Sequence, residues 1–310
     1  MSHLSNMSNR SHTSDAAAPG WRVWLLAARP KTLPAAFAPV LMGTAMAWEA
    51  GGFHAPAALA ALLAALLIQV GTNYANDYFD FVKGTDTEER VGPTRATQAG
   101  LVTPAQMRNA TAIVLGLAAL VGLYLAWRGG WPILLVAVVS ILCAVLYTGG
   151  PYPLGYLGLG DLFVLIFFGP VAVAGTYYVQ ALELSPLPVI AGFAPGLLAT
   201  AILTVNNLRD VEGDAKSGKK TLAVRFGKRF ARAEYVFCVL TATLLVPLLL
   251  LLVSPDHRGV LLAILTILPA NAAMSKILSG LEGAELNPFL GRTGMLLLLF
   301  SLLFSFGWLL

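Results

Sequence analysis

Two short stretches of this 310-residue chain concentrate oxygen ligands at helical spacing. The first reads Asn73-Tyr74-Ala75-Asn76-Asp77-Tyr78-Phe79-Asp80, the second Asn206-Asn207-Leu208-Arg209-Asp210-Val211-Glu212-Gly213-Asp214. On a helix, residues three and four apart share a face, so Asn73 with Asp77, and Asn76 with Asp80, project together. Asn206, Asp210 and Asp214 form the same kind of stripe. The two clusters align at one constant offset, Asn73 with Asn206, Asp77 with Asp210 and Lys83 with Lys216, which hints at an internal duplication. Converging carboxylates repel unless a cation neutralises them. Oxygen-only ligands flanked by amides suit Mg²⁺, which uses one or two carboxylates and leaves positions for substrate phosphate and water.

Each cluster runs into a basic, glycine-bearing segment. The first carries Lys83, Gly84, Arg90, Gly92, Arg95 and Gly100, the second Lys216, Gly218, Lys219, Lys220, Arg225 and Gly227. Acids for metal followed by Arg and Lys for phosphate oxygens is the combination that a diphosphate requires.

The elements that must position these residues are membrane helices. The chain is 57% hydrophobic and 12% charged, against roughly 25% charged in a soluble domain, with a mean hydropathy of +0.74. Apolar runs long enough to span a bilayer, about 20 residues each, predict nine helices at roughly 33–49, 55–79, 105–126, 131–148, 160–181, 187–209, 231–253, 259–279 and 292–310. Both clusters end such runs and lead into long charged loops, Asp80 to Thr103 and Asp210 to Arg229. With nine spans and a cytoplasmic N-terminus, all Lys and Arg except Arg128 and Arg258 fall on one side, as the positive-inside bias demands. Charges split among short loops in this way argue against nucleic-acid binding despite the net charge of +4. Cys143 and Cys238 lie in apolar runs and read as small hydrophobes. Residues 1–20 hold too few large apolar side chains to fold and read as a disordered cytoplasmic tail.

Several segments resemble a known family. Asn76-Asp77-Tyr78-Phe79-Asp80, Asp210-x-x-x-Asp214 and Lys216-x-Gly218-x-Lys220-Thr221 are similar to motifs of the UbiA superfamily of intramembrane aromatic prenyltransferases. Arg29-Pro30-Lys31-Thr32-Leu33-Pro34, Asp80-Phe81-Val82-Lys83-Gly84-Thr85-Asp86 and Gly92-Pro93-x-Arg95 resemble the branch that prenylates 1,4-dihydroxy-2-naphthoate. The resemblance implies one all-α membrane domain over 21–310 around a central cavity, in the inner membrane with its site facing the cytoplasm and lipid around it. It implies Mg²⁺ and a polyprenyl diphosphate held by Asn76, Asp77, Asp80, Asn206, Asp210 and Asp214 as metal-site residues, with Lys83, Arg90, Arg95, Lys216 and Lys220 on the diphosphate. The wider family often has a further Asp where Gly84 stands here, which leaves Asp77 or Asp86 to complete the first metal site. Lys31, Asn73, Tyr147 and Tyr152 are the residues expected around the aromatic acceptor. Tyr147-Thr148-Gly149-Gly150-Pro151-Tyr152-Pro153-Leu154 lacks the lysine that 4-hydroxybenzoate enzymes tend to carry, favouring a naphthoate acceptor. The reaction implied is prenyl transfer with loss of CO₂ and diphosphate, giving demethylmenaquinol for menaquinone biosynthesis. Two other readings stand beside it: a prenyltransferase for another aromatic acceptor, and a transporter, which would instead place ionisable groups near the bilayer midplane and at both faces.

Overall fold

A computed structural model describes residues 20–85 and 91–310, and among these the chain is helical with no strand. The helices are α1 (Trp21–Ala28), α2 (Pro34–Glu49), α3 (Ala55–Val82), α4 (Pro104–Gly129), α5 (Trp131–Leu146), α6 (Gly160–Ile166), α7 (Ala172–Ala181), α8 (Pro186–Lys216), α9 (Leu222–Leu240), α10 (Val246–Val253), α11 (Ile267–Leu278) and α12 (Asn287–Trp308). Single π-helical segments, Phe167–Val171 and Thr241–Leu245, join α6 to α7, with a kink at Gly169, and α9 to α10. A 3-10 stretch, Arg258–Thr266, leads into α11. In lipid every backbone polar group must be paired within the protein, and helices do this segment by segment.

Seven of these rods are long and apolar enough to cross a membrane. Nine such segments were expected. The two others, α2 and α5, have 16 residues each, about 24 Å at the helical rise and short of a ~30 Å hydrocarbon core. Helix starts follow the sequence closely. Pro occupies the first turns of α2, α3, α4, α5, α8 and α12, where its missing N–H removes no intrahelical bond. Thr103 and Gln106 form a capping box at the start of α4.

Two expectations change. The second charged loop is mostly helix: α8 continues through Asp210 and Asp214 to Lys216, and α9 begins at Leu222, with Gly227 (φ 84°) breaking it. The sequence also conceals α1, a short helix that exposes Trp21, Leu25 and Leu26 while Ala27 and Ala28 pack beside Tyr74 of α3. Residues 1–19, expected to be a disordered tail, lie outside the described residues.

The core centres on α8, which packs against α6, α9, α12 and the π segment at 167–171. Its approach to that segment depends on glycine. A Cβ on Gly192 would sit 2.6 Å from Pro170 Cα, and one on Gly169 would sit 2.7 Å from the Gly192 carbonyl oxygen. Close contact between helices in membranes uses small residues in this way. A tighter approach joins Gly307 of α12 to Gly259, where a Cβ on either residue would overlap the other's carbonyl. Gly307→Ala is therefore expected to cost about 1–3 kcal/mol of stability and to lower the melting midpoint in detergent. An unchanged midpoint would show that the two backbones separate freely.

Candidate functional site

The C-terminal ends of α3 and α8 face one another across a cavity of about 780 Å³. At one end it is lined by Asn73, Asn76, Asp80, Arg95, Asn206, Asp210, Asp214 and Lys216. From there it runs along α3 to Ala64 and Ala61, past Gly122 and Leu125 of α4 and Ile133 of α5. Asp80 and Ala61 are separated by about 28 Å of helix, so a polar mouth opens onto a long apolar bore.

Asp80 is a heavily partnered carboxylate. It is buried, and its Oδ2 accepts from Arg95 Nη2 at 2.8 Å. Its Oδ1 accepts from Tyr156 Oη at 2.8 Å and Thr85 Oγ1 at 3.1 Å. The Lys219 ammonium lies 3.4 Å from that Oδ1 and 3.7 Å from Asp214 Oδ1, so it bridges the two acidic helix ends. The ring of Tyr156 lies between two ammonium groups, Lys83 at 4.7 Å and Lys219 at 4.9 Å from its centroid, a favourable placement for cations on a π-face. Lys83 donates to the Thr148 carbonyl at 2.6 Å, so its side chain ties α3 to the loop after α5. Partial burial pulls its pKa below the usual lysine value, while nearby Asp80 opposes that shift.

On α8 a single buried arginine organises the stripe. Arg209 donates to Asn206 Oδ1 at 2.7 Å, to both oxygens of Asp210 at 2.8 and 2.6 Å, and to Asn287 Oδ1 at 3.1 Å. On α3, Asn73 donates to the Ala28 carbonyl at 2.9 Å and to Thr32 Oγ1 at 3.2 Å, and Thr148 donates to Asn76 Oδ1.

Most of the residues expected at the site are brought together, and some are not. Asn73, Asn76, Asp80, Arg95, Tyr147, Asn206, Asp210, Asp214 and Lys216 all line the cavity. Asp77 does not: it is buried on another face of α3, where Oδ2 accepts from the Ala96 N–H at 2.9 Å and Oδ1 from the Thr97 N–H at 3.0 Å. Both oxygens thus hold the turn that carries Arg95. Lys220 is exposed and outside the cavity lining; its backbone N–H donates to the Tyr156 carbonyl at 2.8 Å. Lys83 also lies outside the lining. Lys31 is exposed, on a 3-10 turn that packs against α12, and Arg29 lines the cavity instead. Tyr152 is 75% exposed, and the ring that enters the site from this loop is Tyr156. Asp86 and Arg90 lie outside the described residues. Asp161, at the start of α6, is buried and does not line the cavity.

Lys219, Tyr156 and Arg209 are the contributors that the motifs did not single out. The adjacent pair Lys219-Lys220 offered a signal, because only one of two neighbouring side chains can point inward.

The donor set suits a hard cation. Among the described residues no three Asp, Glu, His or Cys side chains gather into a closed metal cage. Instead, carboxylate and amide oxygens from α3 and α8 face one cavity, and an ammonium already bridges Asp80 and Asp214. A partial shell of this kind matches Mg²⁺ bound jointly with substrate phosphate.

The chain is similar to known proteins in sequence and in fold. Residues 36–282 match the UbiA prenyltransferase family. A 1,4-dihydroxy-2-naphthoate octaprenyltransferase of Escherichia coli is 40% identical over 92% of this chain and 94% of its own length. That of Mycobacterium tuberculosis is 42% identical over 90% and 94%. Among solved structures, a UbiA homolog from Archaeoglobus fulgidus bound to DMAPP and Mg²⁺ superposes with a TM-score of 0.62 at 16% identity, covering 92% of this chain and 98% of that one.

Proposed function

Because the chain belongs to the UbiA prenyltransferase family, we propose that the two acidic helix ends hold the diphosphate of an allylic substrate while its prenyl tail fills the apolar bore. The protein is a multi-pass membrane enzyme that transfers a polyprenyl group to 1,4-dihydroxy-2-naphthoate in menaquinone synthesis. The single observation that carries the site assignment is the convergence of Asp80 from α3 and Asp214 from α8 on one ammonium. No rigid local motif explains two carboxylates drawn from helices so distant in sequence.

Mg²⁺, when bound, supplies positive charge against the departing diphosphate oxygens. Asn76, Asp80, Asp210 and Asp214 would hold it, with Asn206 behind them. Arg95 and Lys216 line the same mouth and stabilise the diphosphate charge that builds as the allylic C–O bond breaks. The bore walls, Ala61, Ala64, Gly122 and Leu125 among them, exclude water that would otherwise trap the allylic cation. Tyr147, which lines the cavity, presents a ring face to that positive charge. The acceptor ring attacks at the carbon bearing the carboxylate, the new C–C bond forms, and CO₂ leaves with restoration of aromaticity. Acceptor recognition falls to the polar belt formed by Arg29, Thr32, Gln69 and Asn73 beside the mouth.

For topology we propose that α2 and α5 also cross, giving nine spans in a cytoplasmic membrane with the N-terminus and the acidic mouth on the cytoplasmic side. The distribution of Lys and Arg supports this.

The test supplies purified protein with Mg²⁺, a polyprenyl diphosphate and 1,4-dihydroxy-2-naphthoate, and follows prenylated product and released CO₂. Both are expected to appear in equal amount. Product with 4-hydroxybenzoate but none with the naphthoate would replace the acceptor. Absence of diphosphate release with every acceptor would refute the enzyme assignment.

A further inference from the structure

Lys219 stands on the short turn between α8 and α9. Its own N–H donates to the Asp214 carbonyl at 2.9 Å, and the next N–H donates to Tyr156 at 2.8 Å, so the turn is fixed at both ends of the ammonium's reach. The side chain is 15% exposed, and its ammonium is shared between Asp80 at 3.4 Å and Asp214 at 3.7 Å. These separations exceed the 2.7–2.9 Å of a committed charge-assisted hydrogen bond. The neighbouring cations differ. Arg95 is committed to Asp80 at 2.8 Å, and Lys83 to a backbone carbonyl at 2.6 Å. Among the described residues Lys219 is therefore a loosely held charge between the two halves, resting on the Tyr156 ring at 4.9 Å, and it sits on the same oxygens that a divalent cation requires. An ammonium and a metal ion compete for those oxygens, since two positive charges held there repel one another.

We propose that Lys219 is an exchangeable counter-ion: it neutralises Asp80 and Asp214 until a divalent cation takes their oxygens, and the released ammonium then pairs with the diphosphate. The inference rests on the prenyl diphosphate reading of this site. A flexible four-carbon stem permits the swing without moving the turn. Metal entry alone must displace a cation, whereas metal and diphosphate entering together gain a partner for it. Binding of the two ligands is thus coupled, and the coupling is reciprocal.

Mn²⁺ suits an all-oxygen site, and its binding to the full chain in detergent is read by electron paramagnetic resonance with and without inorganic diphosphate. In the wild type, diphosphate should tighten Mn²⁺ binding. Lys219→Met should bind Mn²⁺ alone about tenfold more tightly, and should lose most of the tightening by diphosphate. Lys219→Arg keeps the charge and should bind Mn²⁺ alone no more tightly than the wild type. Lys219→Gln replaces the Met variant if that protein is unstable. Unchanged or weaker Mn²⁺ binding in the neutral variants, or full retention of the diphosphate effect, would overturn the exchange. A wild type that binds Mn²⁺ in neither condition would overturn the diphosphate reading together with it.

Discussion

Replacing Asp80 with Asn should lower turnover on the order of 10³-fold, the scale lost when one preorganised charge-stabilising group is removed from an active site. Asp80 receives Arg95, Tyr156 and Thr85 and lies beside Lys219, so the substitution also leaves the buried Arg95 without its carboxylate. Loss of a charge-assisted hydrogen bond at a buried pair costs about 1.5–3 kcal/mol, and the melting midpoint should fall with the activity. Asp214→Asn tests the second helix end. The Asp214 side chain is 13% exposed and lies 3.7 Å from the Lys219 ammonium. Its turnover should drop comparably. Midpoints and initial rates measured on both variants decide the matter, and turnover within about tenfold of wild type in both would remove these carboxylates from the metal site.

The second large effect concerns Asp77, which lies outside the cavity lining. Asp77→Ala removes the acceptor for the Ala96 and Thr97 N–H groups. Two buried donors lose a charged partner at about 1.5–3 kcal/mol each, and the turn that aims Arg95 loosens. The expected result is a lower midpoint and a raised KM for the polyprenyl diphosphate, with little change in the Mg²⁺ concentration that gives half-maximal rate. The opposite pattern, a normal midpoint with a greatly increased Mg²⁺ requirement, would return Asp77 to the metal.

The contrast between Asp77 and Asp80 shows where sequence reasoning ends. Helical spacing correctly put amides and acids in stripes on α3 and α8, since a period of 3.6 residues is a local property. Which flank of the stripe meets the cavity is decided by packing, and the 95–102 turn claims Asp77 from outside the helix. The same holds for the tyrosines. Tyr152 and Tyr156 are four apart in one loop, and only the path of that loop, with Lys83 bound to the Thr148 carbonyl and the Lys220 N–H bound to Tyr156, brings the second ring inward. Arg29 and Lys31 repeat the lesson, because a left-handed backbone at Arg29 (φ 53°) turns the chain between them. Hydropathy located most of the membrane rods to within about three residues, but it ended α8 at 209 rather than 216, began the α9 rod at 231 rather than 222 and began α12 at 292 rather than 287. It overlooked α1, whose eight residues are too few to register as a span.

The polarity of the cavity has a further consequence for what happens after the bond is made. Charge-based retention is confined to one end of the bore, at Arg95, Lys216 and the acids of α3 and α8. Both anionic handles of the substrates depart in the reaction, one as diphosphate and the other as CO₂. The quinol that remains keeps the hydrogen bonds of its hydroxyls and the apolar contacts of its tail, and hydrocarbon tails match the latter nearly atom for atom. Moving the prenyl tail from protein to bilayer is close to isoenergetic, so the chemistry itself erases the ionic part of the affinity that held the reactants. The two classes of product are sorted by solvent, the ionic one to water through the mouth and the oily one to the membrane.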